Sequence, residues 1–147
     1  MYNDAVLNLT ATFDLEPQSL EQRREWFRQH GEKFPLISAE IGGRVVGFCS
    51  LSPFSRKRGY APTVELSVYV HKNFREKGIG KILMDDIISR ARNLGYHAII
   101  SIISTENATS LVLHEKLGFQ HVGHLREVGH KFSKWQDVDY YELLLQR

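Results

Sequence analysis

One stretch of the sequence has residue types spaced for chemistry on an anion. Arg75-Glu76-Lys77-Gly78-Ile79-Gly80-Lys81 follows Val68-Tyr69-Val70 and opens a run in which Ile79, Leu83, Ile87 and Ala91 recur every four residues. Glycine at 78 and 80 permits positive φ and lets a ligand approach the backbone. The unsatisfied N–H groups of a helix start, with the helix dipole, then make a site for phosphate or pyrophosphate. Arg75, Lys77 and Lys81 add positive charge. The stretch is not a P-loop, because Gly80 is followed by Lys81-Ile82 rather than by Lys and a hydroxyl residue. Nor is it the dinucleotide fingerprint, which needs three glycines at fixed spacing.

Other reactive side chains are scattered. Glu65 sits three residues before Val68. Glutamate is disfavoured in strands, so it reads either as a base or as an exposed solubilising residue. Asn107 and His114 stand at the start and inside a second helical run, Ala108 to Leu117. His121 and His124 are three apart on a strand, which predicts opposite faces and not zinc spacing. His130 falls in a loop, and no metal is expected. Cys49 lies in the apolar run Val45-Val46-Gly47-Phe48-Cys49 and reads as a buried structural thiol.

These residues need elements to position them. Thr63 to Val70 alternates, with Val64, Leu66, Val68 and Val70 on one face and Thr63, Glu65, Ser67 and Tyr69 on the other, a strand pattern. The following helix carries Ile82 and Ile88 beside its apolar stripe and ends near Asn93-Leu94-Gly95. Upstream, Ser19-Leu20-Glu21-Gln22 is a capping box that starts a helix running to about His30, with Gly31 as a left-handed stop. Leu36 to Ile41 and Arg44 to Leu51 form a hairpin around Gly42-Gly43. Met1 to Glu16 reads as an irregular lead-in or a short helix and an extended piece. Ser52 to Pro62, with Arg56-Lys57-Arg58-Gly59-Tyr60, is a loop, either a solvated connection or a wall of an acceptor site. Tyr96 to Ile103 is nearly continuously apolar, as in a strand covered on both faces. Asn107 caps the second helix and Gly118 stops it. Gln120 to Val128 is a strand, Gly129 to Lys134 a loop and Gln136 to Leu145 a last strand, with Trp135 either core or acceptor-side. The order predicts an α/β domain with a mixed sheet.

The 147 residues suit one domain spanning 1–147, and 42% hydrophobic residues suffice for a core. A net charge of +2 is too slight to argue for nucleic acid. The apolar runs are too short for a membrane span, and no signal-peptide pattern is expected from the opening residues. With one cysteine no internal disulfide can form, and a reducing, cytoplasmic location is expected.

Arg75-x-x-Gly78-x-Gly80 after a Val-Tyr-Val strand resembles the coenzyme A pyrophosphate loop of the GNAT family of N-acetyltransferases, Gln/Arg-x-x-Gly-x-Gly/Ala. Asn107-Ala108-x-Ser110, leading to Leu113-His114-Glu115-Lys116-Leu117-Gly118-Phe119, is similar to the family's segment in which an Asn contacts the pantetheine arm. Val128-Gly129-His130-Lys131-Phe132 with Trp135 and Asp137-Val138, together with Tyr60-x-x-Thr63-Val64-Glu65, resembles the phosphinothricin/methionine sulfone acetyltransferase branch. The resemblance runs from about Asp14 to Leu145. GNAT chains usually open with a further strand and helix before the region matching Tyr2-Asn3. Here either that first strand is absent or the sequence is a truncated form. Where many relatives carry a Tyr as general acid, this chain has His114, as the phosphinothricin branch does.

The resemblance implies a GNAT-type mixed, mostly antiparallel sheet flanked by helices, apart from that first strand and helix. It implies acetyl transfer from acetyl-CoA to the primary amine of a small amino-acid-like acceptor, of phosphinothricin or methionine sulfone/sulfoximine type. An ammonium has no lone pair, so a base is needed, and the resemblance places it at Glu65. His114 is a candidate to protonate the departing sulfur, or a packed helix histidine. Val68, Tyr69 and Val70 would pair with pantetheine amides, with an N–H near Val68 in an oxyanion role. Arg75, Lys77, Gly78, Ile79, Gly80 and Lys81 would hold the pyrophosphate, and Asn107 the arm. Lys57, Tyr60, Lys131 and Phe132 would face the acceptor. Dimers are frequent in the family, so a homodimer is an expectation. Rival readings are a protein N-terminus or polyamine as acceptor, a coenzyme-binding regulatory module without turnover, and a basic RNA-binding domain. The last lacks interleaved aromatic and basic residues.

Overall fold

A computed structural model describes residues 1–3, 12 and 14–145. The expected lead-in around Val6, Leu7, Leu9, Thr10 and Phe13 lies outside the described residues. Helix α1 spans Leu20–Arg28, α2 spans Ile79–Asn93 and α3 spans Ala108–Lys116. Strands β1 (Leu36–Ile41), β2 (Arg44–Pro53), β3 (Thr63–Val70), β4 (Ala98–Ser104), β5 (Gln120–Lys131) and β6 (Lys134–Leu144) form one sheet in the order β1-β2-β3-β4-β6-β5. All neighbours are antiparallel except β3 and β4, which are parallel.

Local chemistry explains most of the boundaries. Ser19 and Gln22 form the reciprocal capping box at the start of α1. Gly42 and Gly43, both at positive φ, make the two-residue turn between β1 and β2. Asn107 accepts the Ser110 N–H and caps α3, and Gly118 at φ 92° ends it. Gly31 is not a left-handed stop. Helix α1 ends at Arg28 with Gln29 in the right-handed region, and the Gly31 N–H instead closes a turn onto the Phe34 carbonyl.

The core lies between one sheet face and helices α2 and α3. Val46, Cys49, Leu51, Val64, Leu66, Ile99 and Ile103 meet Leu83, Met84, Ile87 and Ala91, with Phe119 and Tyr141 closing the α3 end. The α2 stripe is as expected except at Ile82, which is 66% exposed. Cys49 is fully buried, and burial pushes its thiol well above the ordinary range. The opposite face, carrying Phe48, Ser52, Glu65, Ser67 and Tyr69, is met by α1 and the N-terminal residues. Trp26 lies edge-on to Phe48 at 5.9 Å, and the Arg23 guanidinium sits 4.0 Å from the Tyr2 ring centroid and 4.1 Å from that of Trp26.

The last hairpin differs from expectation. The segment 129–134 is not a loop: β5 runs to Lys131, and Phe132 and Ser133, at φ 56° and 60°, form a two-residue turn. Trp135 is 63% exposed, so it is not core. His121 and His124 do not point apart. A register shift between His121 and Gly123 brings both onto one oxygen of Asp139, at 2.7 and 2.9 Å. Asp139 also accepts from the Thr105 hydroxyl at 2.7 Å. Burial pushes its carboxyl up, but these three hydrogen bonds outweigh burial and hold it below the usual carboxylate range. Among the described residues, no group of three or more His, Cys, Asp or Glu is arranged to hold a metal ion, and no helix is long and apolar enough to cross a membrane.

Candidate active site

The site is built where β3 and β4 part. They pair at Thr63–Ala98, Val64–Ile99 and Glu65–Ile100 and then diverge. The resulting cleft is lined by Leu66 to Tyr69 on one side, Ser101 to Ser104 on the other, and Asn107, Ser110 and His114 at its α3 end. Its volume as it stands is about 50 Å³.

Strand geometry decides which backbone groups face the cleft. The His71 N–H bonds the Val46 carbonyl of β2 at 2.7 Å, and the Tyr69 carbonyl lies against Gly47 of β2. Backbone groups alternate along a strand. Those of Leu66, Val68 and Val70 therefore turn toward the cleft. Tyr69 turns its backbone to β2 and contributes its ring instead. That ring stacks on Phe48 at 5.0 Å and meets Tyr2 edge-on at 5.5 Å.

At the end of β3 the chain makes a short 3₁₀ turn, Lys72–Phe74, and enters α2 through Gly78. Gly78 is the N-cap, at φ 80°, with open space around its Cα. The first helix-closing bond runs from the Ile82 N–H to the Gly78 carbonyl, so the N–H groups of Ile79, Gly80 and Lys81 have no acceptor one turn back. Gly80 has a different task. A Cβ there would lie 3.2 Å from Leu113 Cδ2, so it lets α2 approach α3. The Arg75 Nε donates to the Val70 carbonyl at 3.2 Å, which folds its side chain back over the strand end. Lys81 pairs with Asp85 at 2.7 Å, and Lys77 lies 5.6 Å from the Phe74 ring centroid. The loop thus offers free helix-start N–H groups and cations together, as a pyrophosphate requires.

Glu65 is half-buried on the sheet face away from α2 and α3, in a row with Ser52 on β2 and Ile100 on β4. Burial alone raises its carboxyl above the ordinary value, and no other side chain among the described residues offsets it. His114 approaches from the opposite face. Its Nδ1 lies 2.8 Å from the Ser110 carbonyl and its Nε2 2.9 Å from the Ser101 hydroxyl. A carbonyl only accepts, so Nδ1 carries the proton and Nε2 accepts from Ser101. Burial lowers its pKa. In this state His114 has no proton at Nε2 to give. Asn107 spends its Oδ1 on the Ser110 N–H, which leaves its Nδ2 as the donor for a ligand.

The acceptor-side residues are more dispersed. Tyr60 is 47% exposed and packs edge-on to Phe54, and Lys57 is exposed in the same loop. Phe132 is exposed at the hairpin turn. Lys131 is buried within β5 and donates to the Thr12 carbonyl at 2.7 Å. The cleft also holds residues that the sequence reading passed over. Ser101 and Ser104 interrupt the apolar strand β4, and that interruption was the available signal.

The Acetyltransferase (GNAT) family model matches residues 1–119. An L-methionine sulfoximine/L-methionine sulfone acetyltransferase of Pseudomonas paraeruginosa is 38% identical over 147 residues, covering 99% of this chain and 86% of its own. A phosphinothricin acetyltransferase from Sinorhizobium meliloti, solved with acetyl-CoA, superposes with a TM-score of 0.92 at 32% identity, over 98% of this chain and 79% of that one. A ribosomal-protein-alanine N-acetyltransferase from Brucella melitensis superposes at 0.95 with 39% identity, over 98% and 90%. A loop with a left-handed glycine and free helix-start N–H groups, a cleft between parting parallel strands, and these likenesses lead to one assignment. The chain belongs to the GNAT acetyltransferase family, in its phosphinothricin/methionine sulfone branch, and is an acetyl-CoA-dependent N-acetyltransferase.

Proposed function

We propose that the enzyme acetylates the α-amine of a small amino-acid-like acceptor of phosphinothricin or methionine sulfone/sulfoximine type, with Glu65 as the base. The observation that carries this is Glu65 itself. It is a half-buried carboxylate with a raised pKa at the last paired residue before the cleft opens. An α-ammonium has a pKa near 8 in water, so at neutral pH most acceptor arrives protonated. A carboxylate made more basic by burial removes that proton more readily than an exposed one. The freed amine attacks the thioester carbonyl of acetyl-CoA, and the C–N bond forms as the C–S bond breaks. Coenzyme A leaves as a thiolate that takes up the second proton shed by the attacking nitrogen. Helix-start N–H groups at Ile79, Gly80 and Lys81, with Arg75 and Lys77, hold the pyrophosphate end. Asn107 Nδ2 and the cleft-facing groups of Val68 and Val70 hold the arm, and the Val68 N–H faces the charge that develops on the carbonyl oxygen. The loop around Arg56, Lys57 and Tyr60 supplies positive charge for a carboxylate or phosphinate. His114, neutral and bonded at both nitrogens, orders the cleft wall.

A second reading is a protein N-terminal alanine as acceptor, favoured by the likeness to the Brucella enzyme. An amine panel decides. Methionine sulfone or phosphinothricin should consume acetyl-CoA faster than an Ala-starting peptide or spermidine. Glu65→Gln should lower kcat/KM on the best acceptor by about 10²- to 10⁴-fold at neutral pH, with the loss shrinking at high pH where free amine is abundant. A peptide or spermidine ranked first overturns the acceptor, and a Glu65→Gln enzyme within about twofold of the parent removes the base.

A further inference from the structure

The Ser104 hydroxyl is a buried polar group with no hydrogen-bond partner among the described residues. Ser104 is 4% exposed and ends β4, at the point where the chain turns toward Asn107. Its carbonyl accepts the Asn107 N–H at 2.9 Å, and it stands opposite Val138 of β6 in a non-hydrogen-bonded pair, so its N–H turns toward the cleft. The hydroxyl has no partner among the described residues, and Ser104 lies in the wall of the cleft. Counting on from the Glu65–Ile100 pair, Ser104 stands across the gap from Tyr69. Native folds rarely leave a buried hydroxyl unpaired, and each such group calls for a physical reason.

The neighbouring serines make the contrast. Ser101 donates to His114, and Ser110 lies 3.4 Å from the same ring. Ser104 has the same chemistry and no such neighbour. A coenzyme arm laid between the parting strands β3 and β4 would pass this wall. Ser104 ends β4 three residues before Asn107, so both flank the turn at the mouth of the cleft.

We propose that Ser104 is a coenzyme-binding residue whose hydroxyl donates to an amide carbonyl of the pantetheine arm, and that its unpaired state in the free protein is relieved only when the arm enters. Asn107 and Ser104 then grip the arm from one turn, while Val68 and Val70 hold it from β3. The inference rests on acetyl-CoA as co-substrate and on the cleft as the path of its arm.

The experiment is calorimetry and thermal melting of Ser104→Ala. The variant should bind CoA about three- to tenfold more weakly, the range for one neutral hydrogen bond. It should bind adenosine 3′-phosphate 5′-diphosphate, the coenzyme without its arm, as the parent does. Without ligand it should melt at or above the parent temperature, because a buried orphan hydroxyl has been removed. CoA affinity within twofold of the parent, equal weakening toward both ligands, or a lower melting temperature of the free variant would each overturn the proposal. The last would show that the hydroxyl already has a structural partner. A parent protein that binds no CoA would instead sink the coenzyme assignment itself.

Discussion

Gly78 and Gly80 look alike in the sequence, yet the structure gives them separable tasks, and replacing each by alanine measures the difference. Gly78 sits at φ 80° with nothing within 4 Å of an added Cβ, so Gly78→Ala introduces backbone strain and no clash. A left-handed non-glycine residue costs roughly 1–2 kcal/mol. If the loop keeps its shape, the strain remains in the fold. For a domain of this size a loss of 1 kcal/mol lowers Tm by about 2–4 °C, so the drop should be about 2–8 °C. If the loop relaxes instead, the helix-start N–H groups swing out of place, and the same 1–2 kcal/mol appears as acetyl-CoA binding weakened about 5- to 30-fold. Melting and calorimetry together should therefore recover about 1–2 kcal/mol. Gly80 is helical, and its added Cβ would lie 3.2 Å from Leu113 Cδ2 and 3.8 Å from Val70 Cγ2. The Leu113 contact is with the end of a flexible side chain. The helix propensity gained by alanine, about 1 kcal/mol, offsets the crowding, and Gly80→Ala should be close to neutral in both assays. A Gly78→Ala protein with parental Tm and parental affinity, or a Gly80→Ala protein damaged more than Gly78→Ala, would refute this division.

Three further expectations follow from buried titratable groups. Glu65→Gln should raise Tm at neutral pH even as activity falls. Burial raises the folded pKa of Glu65, so its ionised form is disfavoured by folding, a penalty absent in acid and present once pH exceeds the folded value; an unchanged or lower Tm at neutral pH would contradict this. For His114 the sign is opposite. Its folded pKa is lowered by burial, so the unfolded chain takes up the proton first, and stability falls as pH drops below about 6.5. His114→Gln should flatten that acid limb in a melting series, lose about 1–3 kcal/mol of stability from the stranded Ser101 and Ser110 groups, and lower kcat by less than tenfold; a loss of a hundredfold or more would restore His114 as a proton donor. Asp139→Asn should cost about 1.5–3 kcal/mol, since three side chains donate to that carboxylate. Through Thr105 it should also loosen the turn that presents Asn107, which calorimetry with CoA will register as weaker binding.

Much of this molecule was legible one element at a time. The period of two in Thr63 to Val70, the four-residue repeat of α2, the Ser19/Gln22 capping box, the Gly42-Gly43 turn and the Asn107 cap each involve residues within about four positions of one another. Steric and hydrogen-bonding rules act at that range, so these features hold whatever the rest of the chain does. The motif around Gly78 was legible for the same reason. The cleft was not, because it depends on β3 and β4 pairing in parallel for three residues and then separating, a matter of register between segments more than 30 positions apart. The same holds for the pair of histidines on Asp139, which a bulge in β5 turns to one side, and for Lys131, whose ammonium donates to the Thr12 carbonyl far back in the chain. His114 shows the limit most clearly: its place in α3 is local, but its proton sits on Nδ1 because a carbonyl faces that nitrogen and a strand serine faces the other. Side-chain chemistry at a site is set by what surrounds it, and sequence spacing reaches only the neighbours along the chain.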